Sequence, residues 1–422
     1  MKIRAFHGYR YGIGRVTDAS PVVAPPYDQI SPEMQRQLHA LHPHNIVRVT
    51  LPEDEPGDKY ARASQVLDRW LAEGVWAREE WPALYAYHQT YAVGGTPITR
   101  MGFIALGEVT SYARGEVLPH ERTHAGPKRD RLALLEATGA DIGLLFMLVG
   151  DPQGRLVPLI NPGGAPTAEA RDLKGERHAL WRITDEATIA RVARHLEERP
   201  VIIADGHHRY ETAVDYAAEN PAARAKLMAF FPLEGPGLTI LPNHRLVHNV
   251  LDFDVERLLA GASAWFDVAP LAAPLAFQPD NRRLAVVAGE HAAVLRLREE
   301  AVSRIAWPPG TSAAWRALAV SILHEALLRP LLDITDEKLD AKSHVDYTAD
   351  QAEAVRLARA GKYQAAFLIA PTTPAELQAV VRGGELMPQK STHFYPKLLD
   401  GLVFHRLGDT VDGHGPSRLK DA

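Results

Sequence analysis

One stretch constrains this chain more than any other. The apolar run Val201-Ile202-Ile203-Ala204 stops at Asp205-Gly206-His207-His208-Arg209, and Val214-Asp-Tyr-Ala-Ala218 follows. That order reads as a buried strand, a tight glycine turn and a helix. The turn sets Gly206, two histidines and Arg209 at a helix start, where amides point outward without intrahelical partners and the helix dipole favours an anion. Arg209 adds a two-pronged cation suited to phosphate. A phosphate-binding turn is therefore expected, with Asp205 at the strand's end placed to hold Mg²⁺ or a hydroxyl. The plainer alternative is a helix capped by Asp205 with histidines on its surface.

Size and composition bound the rest. A chain of 422 residues exceeds one ordinary core, so two or three domains are expected. Cysteine is absent, which removes disulfides, thiolate nucleophiles and thiolate metal sites and fits a reducing cytosol. A formal net charge of −5 gives no general affinity for nucleic acid. The N-terminus lacks a signal-peptide core, and no apolar run approaches the roughly 18 residues of a spanning helix. The expectation is a cytoplasmic protein without membrane or nucleic-acid partners; the oligomeric state is not readable.

Periodicity gives an α+β, or mixed α/β, fold. Ser31-Pro32-Glu33 opens a helix, and a second runs from about Asp58 to Glu73. Leu84 to Tyr91 and Thr99 to Val109 flank Val93-Gly94-Gly95-Thr96-Pro97, a hairpin signature. Further expectations are a helix over 127–138, a buried strand from Gly143 to Val149, an irregular excursion over 150–178 and a helix over 186–198. Beyond 250 the pattern restarts, with helices at Val255 to Trp265, 312–328, 350–360 and 374–382, and strands at Leu284 to Val287, Ala293 to Leu297 and Ala365 to Ile369. The expected domains are 1–250 and 251–422.

Two further motifs carry chemistry. Pro119-His120-Glu121-Arg122-Thr123-His124-Ala125-Gly126-Pro127 contains H-E-x-x-H. The flanking prolines and Gly126 leave no room for the long helix a zinc pair needs. The segment reads better as a loop that delivers Glu121 as a general base and His120 or Arg122 as phosphate ligands. Met387-Pro-Gln-Lys390-Ser391-Thr392-His-Phe394-Tyr395-Pro-Lys397 offers lysines and hydroxyls to phosphoryl oxygens. Pro25-Pro26-Tyr27-Asp28 and Leu241-Pro-Asn-His244-Arg245 could each line a substrate pocket, or be local turn chemistry. The chain has no G-x-x-x-x-G-K-[ST], G-x-G-x-x-G, H-R-D, D-F-G or G-x-S-x-G, so neither the common nucleotide folds nor the serine-hydrolase elbow is supported.

These motifs, in this order, resemble a bacterial and archaeal family of unknown function described as serine-kinase-like. The resemblance runs end to end, through Val23-Ala-Pro-Pro-Tyr-Asp28, Pro119 to Lys128, Ala204 to Tyr210 and Met387 to Lys397. That family looks related to the ADP-dependent free serine kinase and, more remotely, to the ParB and sulfiredoxin fold. The resemblance implies a ParB/sulfiredoxin-like nucleotide-binding core over 1–250, with an additional α/β C-terminal domain that lends its lysine-rich loop. It implies a kinase that transfers phosphate from ADP or ATP, with Mg²⁺ at Asp205, to free L-serine or a similar hydroxylated metabolite. Glu121, His120 and Asp205 form the expected catalytic set. Gly206, His207, His208, Arg209, Arg122, Lys390, Ser391, Thr392 and Lys397 are expected on the nucleotide, and Tyr27, Asp28, His244 and Arg245 on the substrate. The alternatives are a ParB-type nucleotide switch or NTPase, and a metal-dependent hydrolase using His120, Glu121 and His124.

Overall fold

In the computed structural model, residues 1–409 are described except 13, 54, 55 and 124, with the backbone alone for 125–127. The fold is mixed α/β, and its contacts divide the chain into two compact units. The first holds Met1–Pro119, Thr123–Leu238 and Pro396 onward; the second holds His120–Arg122 and Thr239–Tyr395. The chain thus leaves the first unit at Leu238, against the expected 250, and returns to it near the end.

The first unit is built on a nine-stranded mixed sheet. Its strands are β1 (Ile3–Arg4), β2 (Leu84–Val93), β3 (Thr96–Glu108), β4 (Val117–Leu118), β5 (Leu145–Val149), β6 (Ala168–Arg171), β7 (Arg177–Ile183), β8 (Val201–Asp205) and β9 (Ala225–Pro232). Their order is β4-β8-β5-β9-β3-β2-β7-β6, with β1 beside β3. The hairpin β2–β3 turns at Gly94 and Gly95, both at positive φ, as the glycine pair predicts. β5, β8 and β9 are almost wholly buried, and their side chains join Leu84, Phe103 and Tyr210 in one core. The expected excursion over 150–178 proves partly regular: β6 and β7 pair and extend the sheet beyond β2. Ala168–Arg171 holds only two small apolar side chains, alternating with Glu169 and Arg171, and that masks the strand in the sequence.

Helix starts in this unit follow their caps. Ser31 accepts from Met34 N, Asp58 from Tyr60 N and Asp185 from Thr188 N, opening helices α1 (Pro32–Leu41), α2 (Lys59–Ala72) and, after α3 (Ala125–Thr138), α4 (Glu186–Glu197). Helix α5 (His207–Glu219) differs: its N-cap is Gly206, which has no side chain to offer.

The second unit carries a six-stranded antiparallel sheet of β10 (His244–Val247), β11 (Phe266–Pro270), β12 (Arg283–Ala288), β13 (His291–Leu297), β14 (Val345–Thr348) and β15 (Ala365–Leu368). The order is β11-β13-β12-β15-β10-β14. The helix expected over 312–328 is broken. Ala313–Arg316 and Ala319–Leu323 are separate turns, and a π-helical turn spans His324–Leu328. Among the described residues no helix is long and apolar enough to cross a membrane.

Candidate functional site

In the first unit, β8 runs out of the core and ends at Asp205. The chain then needs an abrupt change of direction, which Gly206 supplies at φ 101°, in the left-handed region. A Cβ there would sit 2.7 Å from Leu145 Cδ2, so space and backbone both demand glycine. Tyr210 N donates to Gly206 O at 2.9 Å and closes the first turn of α5. Gly206 offers this helix no side-chain cap, and the positive end of its dipole lies at the corner that Asp205, Gly206, His207, His208 and Arg209 form.

Two cations converge on the Asp205 carboxylate. Lys397 Nζ donates to Oδ2 at 2.8 Å, and Arg209 Nη2 reaches Oδ1 at 3.5 Å. Arg209 Nη1 also donates to Leu144 O at 2.6 Å. Burial alone would raise the Asp205 carboxyl. Lys397, then Arg209 and His207, outweigh it and hold the group well below the usual carboxylate range. Burial likewise opposes the Arg209 charge, and Asp205, Asp28 and Asp400 overcome it, so the guanidinium stays protonated. His207 and Arg209 are buried and His208 is half-buried.

Beneath α5 lies a cavity of about 60 Å³, lined among others by Tyr27, Arg131, Asp141, Arg209, Lys226 and Asp400. Tyr27 lies under the Arg131 guanidinium at 4.0 Å, while Asp28 is exposed. Lys226 pairs with Asp141, whose second oxygen accepts Leu227 N at 2.6 Å. Asp400 Oδ1 is buried without a hydrogen-bond partner among the described residues. Burial raises the Asp400 carboxyl to about 6, against the pull of Arg209 and Lys226. Asp141, Lys226 and Asp400 were not among the sequence candidates. Lys226, a single cation at the head of the apolar run Leu227-Met-Ala-Phe-Phe231, was the available signal, since lysine enters a core only with a partner.

The remaining candidates lie in the second unit. His120 is fully buried; its Nε2 lies 2.8 Å from Thr392 Oγ1, which also approaches Glu121 Oε1 at 3.5 Å. His120 O accepts Met387 N at 2.8 Å. Arg122 is exposed. Neither His120 nor Glu121 lies on a helix, and His124 lies outside the described residues. Ser391 is buried and donates to Pro388 O at 2.5 Å; Lys390 is exposed, at φ 55°. His244 and Arg245 sit on β10 in the middle of a sheet, both buried, where His244 Nδ1 accepts Ile369 N at 3.2 Å and Arg245 Nη2 donates to Gln389 O and Lys390 O. The lysine-rich motif is therefore divided: Lys390, Ser391 and Thr392 belong to the second unit, Lys397 to the first.

The donor set does not suit a protein-held Mg²⁺. Both Asp205 oxygens face cations, and among the described residues no group of three or more His, Asp or Glu could hold a metal.

A mixed α/β protein with a strand–glycine–helix corner is thus defined. The chain matches the family described as "Protein of unknown function (DUF1015)" over residues 3–321, and belongs to it. No curated protein matches the sequence. Solved structures with some likeness include a conserved hypothetical protein from Pyrococcus furiosus, at 14% identity and TM-score 0.37, covering 70% of this chain and 93% of that one. A free serine kinase in complex with AMP gives 13% and 0.37, with 69% and 86% covered. A C-terminally truncated SbnI from Staphylococcus aureus gives 12% and 0.36, with 70% and 85% covered. These values are too low to carry fold or activity across.

Proposed function

We propose that the Asp205–Arg209 corner binds nucleotide phosphate, and that the protein is a phosphotransferase moving a phosphoryl group from ADP or ATP to free L-serine or a similar hydroxylated metabolite. The corner itself carries this reading. A helix of 13 residues opens from a left-handed glycine with no side-chain cap, and its first turn holds His207, His208 and Arg209. The Lys397 ammonium stands beside them on Asp205. Outward amides, a helix dipole and added cations are the physical recipe for holding a phosphate.

The family resemblance supplies the rest of the proposal: a nucleotide as the owner of that phosphate, a hydroxylated acceptor, and a ParB/sulfiredoxin-like ancestry for the corner. Mg²⁺ is assigned to the donor's phosphate oxygens rather than to a protein cage, because Asp205 is already ion-paired. Glu121 is kept as the base by its motif alone; its carboxylate belongs to the second unit.

Thermal shift with ADP and ATP, with and without Mg²⁺, tests the site, followed by phosphate transfer to a panel of hydroxylated metabolites. A nucleotide at 100 times its Kd should stabilise the protein by about 2.7 kcal/mol. Absence of any shift at millimolar nucleotide sinks the reading. Hydrolysis without an acceptor would replace the kinase with an NTPase.

A further inference from the structure

Lys397 sits in a segment without regular structure, yet its ammonium is placed on Asp205. A lysine has four rotatable side-chain bonds, so such placement needs a fixed main chain beneath it. Side chains from β2 and β3 supply it, all within the first unit. Arg100 Nη2 donates to Pro396 O at 2.6 Å, Gln89 Nε2 donates to Lys397 O at 2.9 Å, and Tyr87 Oη accepts Leu399 N at 3.2 Å. Gln89 and Arg100 are themselves locked together, since Arg100 Nε donates to Gln89 Oε1 at 3.1 Å.

The setting of Arg100 is unusual. Its guanidinium is buried against Phe146, at 4.6 Å, and Phe231, at 4.8 Å. Arg100 donates to the Gln89 side-chain amide oxygen and to the Pro396 main-chain carbonyl. Burial lowers the group to about 10. Core packing alone would favour an apolar side chain here, because burying a charge is costly. The planar fork is what allows one residue to hold both Gln89 and the Pro396 carbonyl.

We infer that Gln89 and Arg100 are positioning residues for Lys397, clamping the main chain at Pro396 and Lys397 so that the lysine ammonium is delivered to Asp205. Any role of Lys397 on phosphate rests on the function proposed above; its placement does not.

The test reads the lysine directly. The folded full-length protein is pulse-labelled with an amine-acylating reagent, and the rate at each lysine is followed by mass spectrometry. In the wild type the Lys397 ammonium is held against Asp205 at 2.8 Å, which limits its access to the reagent. Arg100→Met should speed acylation of Lys397 severalfold, because a lysine whose main chain is no longer clamped leaves Asp205 and opens to the reagent. Lys226, buried in the same unit, should keep its rate, because only general loosening would expose it. Gln89→Leu gives the same readout should Arg100→Met fail to fold by circular dichroism. An unchanged Lys397 rate, or Lys397 and Lys226 accelerating in step, overturns the inference. ADP binding by Lys397→Met is measured in parallel. Unweakened binding there would remove Lys397 from the phosphate site and leave the labelling result standing.

Discussion

Lys397 and Asp205 are 192 residues apart in sequence and 2.8 Å apart in the fold. Arg209 approaches the other oxygen of the same carboxylate, so one acid organises both cations of the corner. The corner's charge balance therefore depends on a partner from a distant segment of the chain.

Lys397→Met should leave Asp205 with Arg209 alone and cost about 1–3 kcal/mol at pH 7, as for loss of a partly buried, charge-assisted bond. The Asp205 carboxyl is held below its unfolded value, so its contribution is full above the ordinary carboxylate range and fades as pH falls through the folded value. Urea midpoints of wild type and variant should stay apart at pH 7 and converge only well below pH 4. Equal midpoints at pH 7 would show that the pair contributes nothing.

Gly206→Ala meets two obstacles: φ of 101° and a Leu145 methyl 2.7 Å from the new Cβ. A loss of about 1–3 kcal/mol in chemical denaturation is expected. A variant as stable as the wild type would mean that the corner relaxes freely.

Asp400→Asn probes the cavity under α5. The Asp400 carboxyl is raised to about 6 by burial, above its unfolded value. The folded state thus binds more protons than the unfolded one between about pH 4 and 6, and this group's penalty is greatest above 6 and relieved on acidification. Replacing it should gain about 1–3 kcal/mol at pH 8, with the gain shrinking toward pH 5. Parallel denaturation profiles of the two proteins from pH 8 to 5 would refute the assignment.

Arg209→Ala and Glu121→Gln separate binding from turnover. The first should weaken ADP at least tenfold by calorimetry, beyond any loss of fold, because a charged donor to phosphate is removed. The second should bind ADP normally and lose about a hundredfold or more in phosphate transfer. Full transfer activity in Glu121→Gln would remove the base assignment, and unchanged ADP affinity in Arg209→Ala the phosphate one.

Local signals made much of the fold legible. The glycine pair at 94–95 fixed the β2–β3 hairpin, Ser31 and Asp58 marked helix starts, and the Val201 run marked β8. β9 gave no alternation because both its faces are buried, and a short continuous apolar run carries no period. The expected helix over 312–328 kept helical periodicity but breaks at Ala317-Leu318, where tertiary packing overrides propensity.

The candidate site was legible in its contiguous part and in Lys397, which its motif singled out without naming Asp205 as its partner. Asp205, Gly206, His207, His208 and Arg209 are neighbours in sequence and in space. Arg100, Gln89, Lys226 and Asp400 meet the corner or its supports only through sheet pairing and chain return, which leave no trace in spacing. His244 and Arg245 looked like loop residues because Pro242 and Asn243 precede them, yet their strand lies between two others.

The return of the chain to its first unit at Pro396 has a consequence for biosynthesis. Asp205 leaves the ribosome long before its lysine exists. At ordinary elongation rates the wait is roughly 10–40 s. Throughout that interval the nascent corner holds a carboxylate with one cation instead of two, and Asp400 has yet to be made. Synthesis must therefore have passed Lys397 before the corner reaches its mature charge state, and any stop codon before position 397 yields a protein in which that state is never attained.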